Sequence, residues 1–388
     1  MELFDGFSRF RPLYDKHSVL IINIKPKMRL TSTLLLLVWV LLPWEIFAQP
    51  GAEKRGKTFV FPIITRSLET GWNFGAVSAK IFPINRLDTI SRSSNIVVVG
   101  MFSTRKQVLF ALNGTQYFNR EQYILEEQLS TSYFPDKFWG LGNNTLDNQE
   151  ESYSFRQAYL YFHLKRKMAT KFFVGIVYEA QKVWDINYVQ GGLLDKAAIP
   201  GINGYFISGI GTSISYDSRN NAFAPDKGLY MQLFWNHFDR TWGSDFNYNN
   251  WVADIRTYQK LGDKSTLALQ LLTFSSNGAE VPLRSLAAFG GATKMRGYYE
   301  GRFRDKQQMF FQGEYRFPVY KFLQAVVFGG LGSVASEWKE YAMDNIKYSA
   351  GGGLRFVLSK QEKLSLRLDY GIGQGTNRGF YVQLGEAF

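Results

Sequence analysis

The sequence predicts an all-β fold: a transmembrane antiparallel β-barrel of about 16 strands, with a long outer loop folded into the lumen. Three observations predict the barrel. Runs of about 10–13 residues with period-2 alternation recur from residue 58 onward, the length and pattern of a tilted membrane-crossing strand. The composition suits strands with one apolar and one polar face: 33 Phe, 22 Tyr and 36 Gly against 11 Pro in 388 residues. Mean hydropathy is slightly negative, which excludes a bundle of apolar membrane helices. Finally, long and short connections alternate between the runs, as outer loops and periplasmic turns do in such barrels.

In chain order, the first feature is an export segment. Met28-Arg29 precedes an apolar run at 30–42, then Pro43 and a small residue, Ala48, suited to cleavage. A basic start, a short apolar run and a small residue describe a secretory signal. The run is shorter than the roughly 20 residues a membrane-spanning helix needs. The expected organisation is therefore a mis-annotated extension at 1–27, a signal peptide at 28–48 and the barrel at 49–388.

Strands are expected at 58–66, 72–82, 94–103, 107–118, 122–133, 153–167, 170–183, 205–216, 228–239, 248–260, 263–275, 307–318, 321–334, 346–359, 363–373 and 378–388. The segment 363–373 shows the pattern well. Leu364, Leu366, Leu368, Tyr370 and Ile372 share one face, while Ser365, Arg367, Asp369, Gly371 and Gly373 share the other. In 307–318, Met309, Phe311, Tyr315 and Phe317 oppose Gln308, Gln312, Glu314 and Arg316. In 251–260, Asp254, Arg256, Tyr258 and Lys260 form the polar face. With the N-terminus in the periplasm, the long connections 134–152, 184–204, 276–306 and 335–345 all fall outside. Two long connections, 83–93 and 217–227, fall on the inner side and depart from the short-turn rule.

Chemistry-bearing residues are scarce. There is no Cys and only three His, far apart in sequence, so no metal or cofactor site is expected. The formal charge of +12 is scattered along strand-like segments, which argues against nucleic-acid binding and for a wet lumen and anionic membrane surfaces. The expected surroundings are outer-membrane lipid and lipopolysaccharide. Gly371, Gly373 and Gly375 imitate a phosphate loop, but a strand follows instead of the required helix. Asn, Pro and Gly in 217–228 read as turn chemistry. No catalytic residue is assigned, and an enzyme is not expected.

The most specific segment is 290–305, which contains Met295-Arg296-Gly297-Tyr298 and is followed by Glu314-Tyr315-Arg316-Phe317-Pro318. It resembles the bacterial surface antigen family, the barrels of BamA/TamA-type assembly factors and two-partner secretion transporters. The resemblance implies that Arg296, Gly297 and Tyr298 form a loop tip between strands 11 and 12 that enters the lumen. It also implies that Arg296 meets an acidic inner-wall residue, with Glu314 at the family's acidic position. Gly330 stands where the family usually has Asp, so Glu314 or Asp369 is the candidate partner. Phe380, Val382, Leu384 and Phe388 share one strand face and resemble the C-terminal signal read by outer-membrane assembly machinery.

The resemblance implies a role in inserting or translocating proteins or lipids at the outer membrane. The family's periplasmic polypeptide-transport repeats have no counterpart ahead of the barrel, which leads to the expectation of a separate periplasmic partner. The alternative is a passive pore or structural barrel with a loop plug. A barrel phospholipase is the third reading, for which the histidines offer little material.

Overall fold

A strand with one apolar and one polar face is stable in a bilayer only if both of its backbone edges are paired, and closing the sheet pairs all of them. The computed structural model describes residues 56–388 apart from 86, 89, 222, 223, 263 and 360–363. The expected signal segment and the extension before it lie outside the described residues. Eleven strands follow one another: β1 (Lys57–Ser67), β2 (Gly71–Phe82), β3 (Ser94–Ser103), β4 (Val108–Phe118), β5 (Tyr123–Phe138), β6 (Glu151–Ala169), β7 (Phe172–Asn187), β8 (Tyr205–Asp217), β9 (Gly228–Phe238), β10 (Tyr248–Leu261) and β11 (Ser265–Asn277). A long insertion contains β12 (Ala287–Phe289) and β13 (Phe303–Asp305). The wall then resumes with β14 (Gln307–Tyr320), β15 (Leu323–Ala335), β16 (Lys347–Ser359), β17 (Leu364–Gly373) and β18 (Arg378–Leu384).

All strands except β12 and β13 form one closed barrel, with each pair antiparallel and β18 meeting β1. The wall alternates as the sequence demands. Phe311, Leu331 and Ile372 are exposed on the outside, whereas Gln312, Arg367 and Asp369 are buried inside. The largest apolar cluster lies among Phe138, Phe155, Tyr205, Phe238 and Tyr248 at the ends of β5–β10 that carry long connections. It fixes that mouth through stacked rings, with Phe238 and Tyr248 4.5 Å apart.

The expected strands match the observed ones except at the ends of β5, β7 and β18, with β7 running on to Asn187 rather than 183. Strand β5 continues to Phe138, because Phe134 and Phe138 pair with Phe155 and Glu151 and bury their rings. The expected outer connection 134–152 therefore shortens to 139–150. The last strand stops at Leu384 rather than 388. Gly385 adopts φ +80°, a left-handed turn that glycine takes at little cost. The chain then turns inward, so Phe388 does not share a face with Phe380, Val382 and Leu384. Its ring packs with Tyr258 and Ala268.

Both long inner connections are present, and described residues of 83–93 make side-chain contacts with the next inner turn. In 83–93, Asp88 accepts the Arg120 N–H at 2.9 Å, and Arg92 pairs with Glu121 at 2.9 Å. These contacts hold Asn119, Arg120 and Glu121 in the left-handed region at φ 48°, 55° and 60°. Such strain persists only where neighbours over-determine it.

Candidate functional site

The 278–306 insertion brings Arg296 to the inward-facing side of the wall. Its Nη2 donates to Glu314 at 2.6 Å and its Nη1 to Asp369 at 2.5 Å. The guanidinium also lies 3.5 Å from the centroid of Phe328. All three ionic side chains are essentially fully buried. The planar guanidinium presents a separate Nη donor to each of the two carboxylates.

These residues belong to a larger network. Arg316 donates to Glu314 at 2.7 Å. Arg355 donates to Asp369 at 2.5 Å and to Glu386 at 2.8 Å. Glu386 comes from the inturned segment after β18, so the network spans β14, β16, β17, the insertion and the chain end. A buried charge is tolerated only when it is paired and hydrogen-bonded, and here each carboxylate accepts from at least one arginine.

Gly297 and Tyr298 seat the insertion on β17. Gly297 has φ +118°, and a Cβ there would stand 2.7 Å from the backbone carbon of Ile372. Its N–H donates to the Tyr381 hydroxyl at 3.0 Å. The Tyr298 hydroxyl donates to the Tyr348 carbonyl at 2.7 Å and accepts the Gln374 N–H at 2.8 Å. Its ring packs between Phe289 and Phe303. On the wall side, Gly371 and Gly373 clear the space. A Cβ at 371 would lie 2.6 Å from the Arg296 backbone, and one at 373 would lie 2.5 Å from the Tyr298 ring. The sequence places both glycines on the polar face with Asp369; that they make room for the insertion follows only from the register.

Contacts from other outer connections hold the rest of the insertion. Arg302 pairs with Asp147 at 2.7 Å, and Tyr299 donates to Asp136 at 3.0 Å. The Gly142 N–H donates to the Arg304 carbonyl at 2.9 Å, and the adjacent Asn143 anchors that connection to β15 by donating to the Val334 carbonyl and accepting its N–H. On the opposite side of the interior a cavity of about 330 Å³ remains. Its lining includes Glu126, Gln128, Glu179, Asp254, Lys294 and Glu300.

One constellation escaped the sequence reading. His163 on β6 places Nε2 2.6 Å from Ser213 Oγ on β8 and Nδ1 3.2 Å from Glu126 on β5. It reaches across β7 because residue 175 is glycine, where a Cβ would crowd both partners. The order imitates a hydrolytic relay. Ser213, however, is 2% exposed in a strand paired on both edges, so neighbouring amides are committed to the sheet rather than to an oxyanion. The arrangement braces four strands. Of the histidines, His163 lies on β6 and His237 on β9, and no metal-holding cluster occurs among the described residues.

A closed antiparallel barrel of this size, apolar outside and polar within, is an integral protein of the bacterial outer membrane. The chain belongs to the Omp85 superfamily, whose domain matches residues 106–388. Among solved structures, it is similar to BamA from Haemophilus ducreyi lacking POTRA domains 1–3, at 14% identity and TM-score 0.56, covering 85% of this chain and 70% of that one. It is also similar to CdiB from Acinetobacter baumannii, at 12% identity and TM-score 0.54, covering 86% and 60%. CdiB from Escherichia coli gives 10% identity and TM-score 0.58, covering 87% and 63%. The chain thus spans about three fifths of the CdiB chains. No curated protein sequence matches it. At these identities the structures speak for the fold alone.

Proposed function

We propose that this barrel aids the insertion or translocation of proteins or lipids at the outer membrane by opening between β1 and β18. The observation that supports this most directly is the seam. Arg66 and Val382 are the one registered pair between these strands, whereas β1 and β2 pair over their whole length. Side chains supplement the short ladder: Arg66 donates to the Phe380 carbonyl at 2.9 Å, and Gln383 donates to the Arg66 carbonyl at 3.2 Å. A seam with few ladder bonds is the cheapest place to open a closed sheet. The insertion carrying Arg296, Gly297 and Tyr298 acts as a lumen plug that braces the far side, with Glu314 and Asp369 as the partners of Arg296. A separate periplasmic protein delivers substrate. The outer-membrane assembly machinery inserts this barrel itself, reading Phe380, Val382 and Leu384 on β18.

The chain has no cysteine, so an Arg66→Cys/Val382→Cys pair gives a clean lock. Reconstituted protein should speed the folding of a small model barrel into liposomes, and oxidising the pair should abolish that gain until reductant is added. Equal activity of oxidised and reduced protein would overturn seam opening. The 330 Å³ cavity favours a second reading, a passive pore. Planar-bilayer conductance separates the two, because a large conductance in the intact protein, unchanged by deleting 295–299, supports the pore.

A further inference from the structure

The insertion or translocation reading leaves a charge polarity unused. At the inner mouth, three short turns carry exposed lysines. The β6–β7 turn holds Lys171, the β10–β11 turn holds Lys264 beyond Lys260, and the β14–β15 turn holds Lys321. Exposed apolar side chains accompany each of them: Met168 near the first, Leu261 beside the second, and Tyr320 and Phe322 on either side of Lys321. Tyr320 is 61% exposed. The other mouth is mixed in sign, with Asp147, Glu150, Glu280, Glu337 and Asp344 exposed alongside Lys106, Lys196, Arg240 and Lys339.

The form of these turns indicates what meets them. Residues 170–171, 262–264 and 321–322 make up the whole connections. Taken by themselves, turns of two or three residues build no concave surface for a protein to fill. The three turns are spread over half the circumference, from β6 round to β15, whereas one docked protein would select one arc. Each turn also lies at a strand end, the level at which hydrocarbon gives way to headgroups. Lysine and tyrosine at that level bury their apolar portions and present the polar end to the headgroups. Such lysines attract anionic lipid, and the attraction fades within a Debye length.

We propose that the periplasmic rim of the barrel binds the anionic phosphodiester headgroups of the leaflet that surrounds it, with Lys171, Lys264 and Lys321 as the principal contacts. The rim thereby sets the lipid composition next to the wall, independently of any substrate.

The test uses the full-length protein in neutral detergent, folded as judged by heat-modifiable gel mobility. Phosphatidylglycerol, cardiolipin or phosphatidylcholine is added, and the lipids retained are counted by native mass spectrometry. Both anionic lipids should be retained over phosphatidylcholine. Lysines near an anionic surface contribute about fivefold each, so Lys171→Gln/Lys264→Gln/Lys321→Gln should lose most of the preference. Lys106→Gln/Lys339→Gln, at the other mouth, should keep it. Equal retention of anionic and neutral lipid overturns the proposal. So does an unchanged triple variant, or loss of the preference in the outer pair instead. An acidic protein that co-purifies through these lysines while lipid retention stays unaltered also overturns it.

Discussion

The sulfur of Met295 occupies the space that a side chain at position 330 would need: a Cβ built on Gly330 would come within 2.8 Å of Met295 Sδ. An Asp at this place would have to displace the Met295 side chain next to Arg296, and the carboxylate comes from β17 instead, as Asp369. Gly330→Asp should destabilise the barrel by about 1–3 kcal/mol through overpacking. Adding Met295→Ala should recover part of the loss. Heat-modifiability midpoints of the single and double variants check this, and a double variant no better than Gly330→Asp alone would dismiss the steric account.

Arg296→Ala leaves Glu314 and Asp369 with one cation fewer in a closed interior. Removing one partner of a buried ion pair costs about 3–5 kcal/mol. The expected readout is faster protease cleavage within 278–306 together with a lowered unfolding midpoint. Unchanged protection of that segment would sink the docking role assigned to Arg296.

At the outer mouth, two carboxyls respond to pH in opposite directions. Burial alone would raise Asp147, but hydrogen bonds from Arg302, the Thr376 N–H and Asn377 outweigh it and hold the group below the usual carboxylate range. Its contribution is therefore present above about pH 4 and is lost as pH falls through the depressed value. Burial raises Glu69, only partly offset by hydrogen bonds from Ser67 and the Glu300 N–H. Its preference for the proton makes its contribution complete at low pH and progressively lost as pH rises through the raised value. Asp147→Asn should flatten the acid limb of a stability–pH curve, and Glu69→Gln should flatten the limb above it. A curve unmoved by either substitution would contradict the assignment.

Gly175→Ala should push His163 away from Ser213. An orphaned buried polar group costs about 1–3 kcal/mol, so the midpoint should fall. In a Ser213→Ala background the same substitution should cost less, because the hydrogen bond is already gone. Additive losses in the double variant would show that the clash lies elsewhere.

Strand positions were legible because each strand has one lipid-facing and one inward-facing side, and that constraint writes period 2 into 363–373 and 307–318. Strand ends were less legible. Phe134 and Phe138 belong to β5 because their rings meet Phe155 and its neighbours, a long-range contact that local alternation does not encode. The inturned tail was hidden for a related reason. Phe388 continues the apolar spacing of β18, and only the left-handed turn at Gly385 removes it from the strand. At the site, Glu314 and Asp369 could be named from the family resemblance, which places an acidic partner for Arg296 on the inner wall. Arg355, Arg316 and Glu386 could not, because their convergence depends on the register of β14–β18. The same is true of Glu126, His163 and Ser213, which are scattered in sequence and adjacent only across neighbouring strands.

The arginine–carboxylate network also constrains the order in which the chain can complete itself. Glu314 is laid down with β14, Arg355 with β16, Asp369 with β17 and Glu386 after β18, while Arg296 arrives from the insertion between β11 and β14. Until the last of these is in place, the others are charges facing a low-dielectric interior without their full complement, a penalty of several kcal/mol per ion. A partly closed sheet is therefore held open to water by its own arginines. The final segment and the insertion must settle together, which makes closure of this half of the wall a single cooperative event.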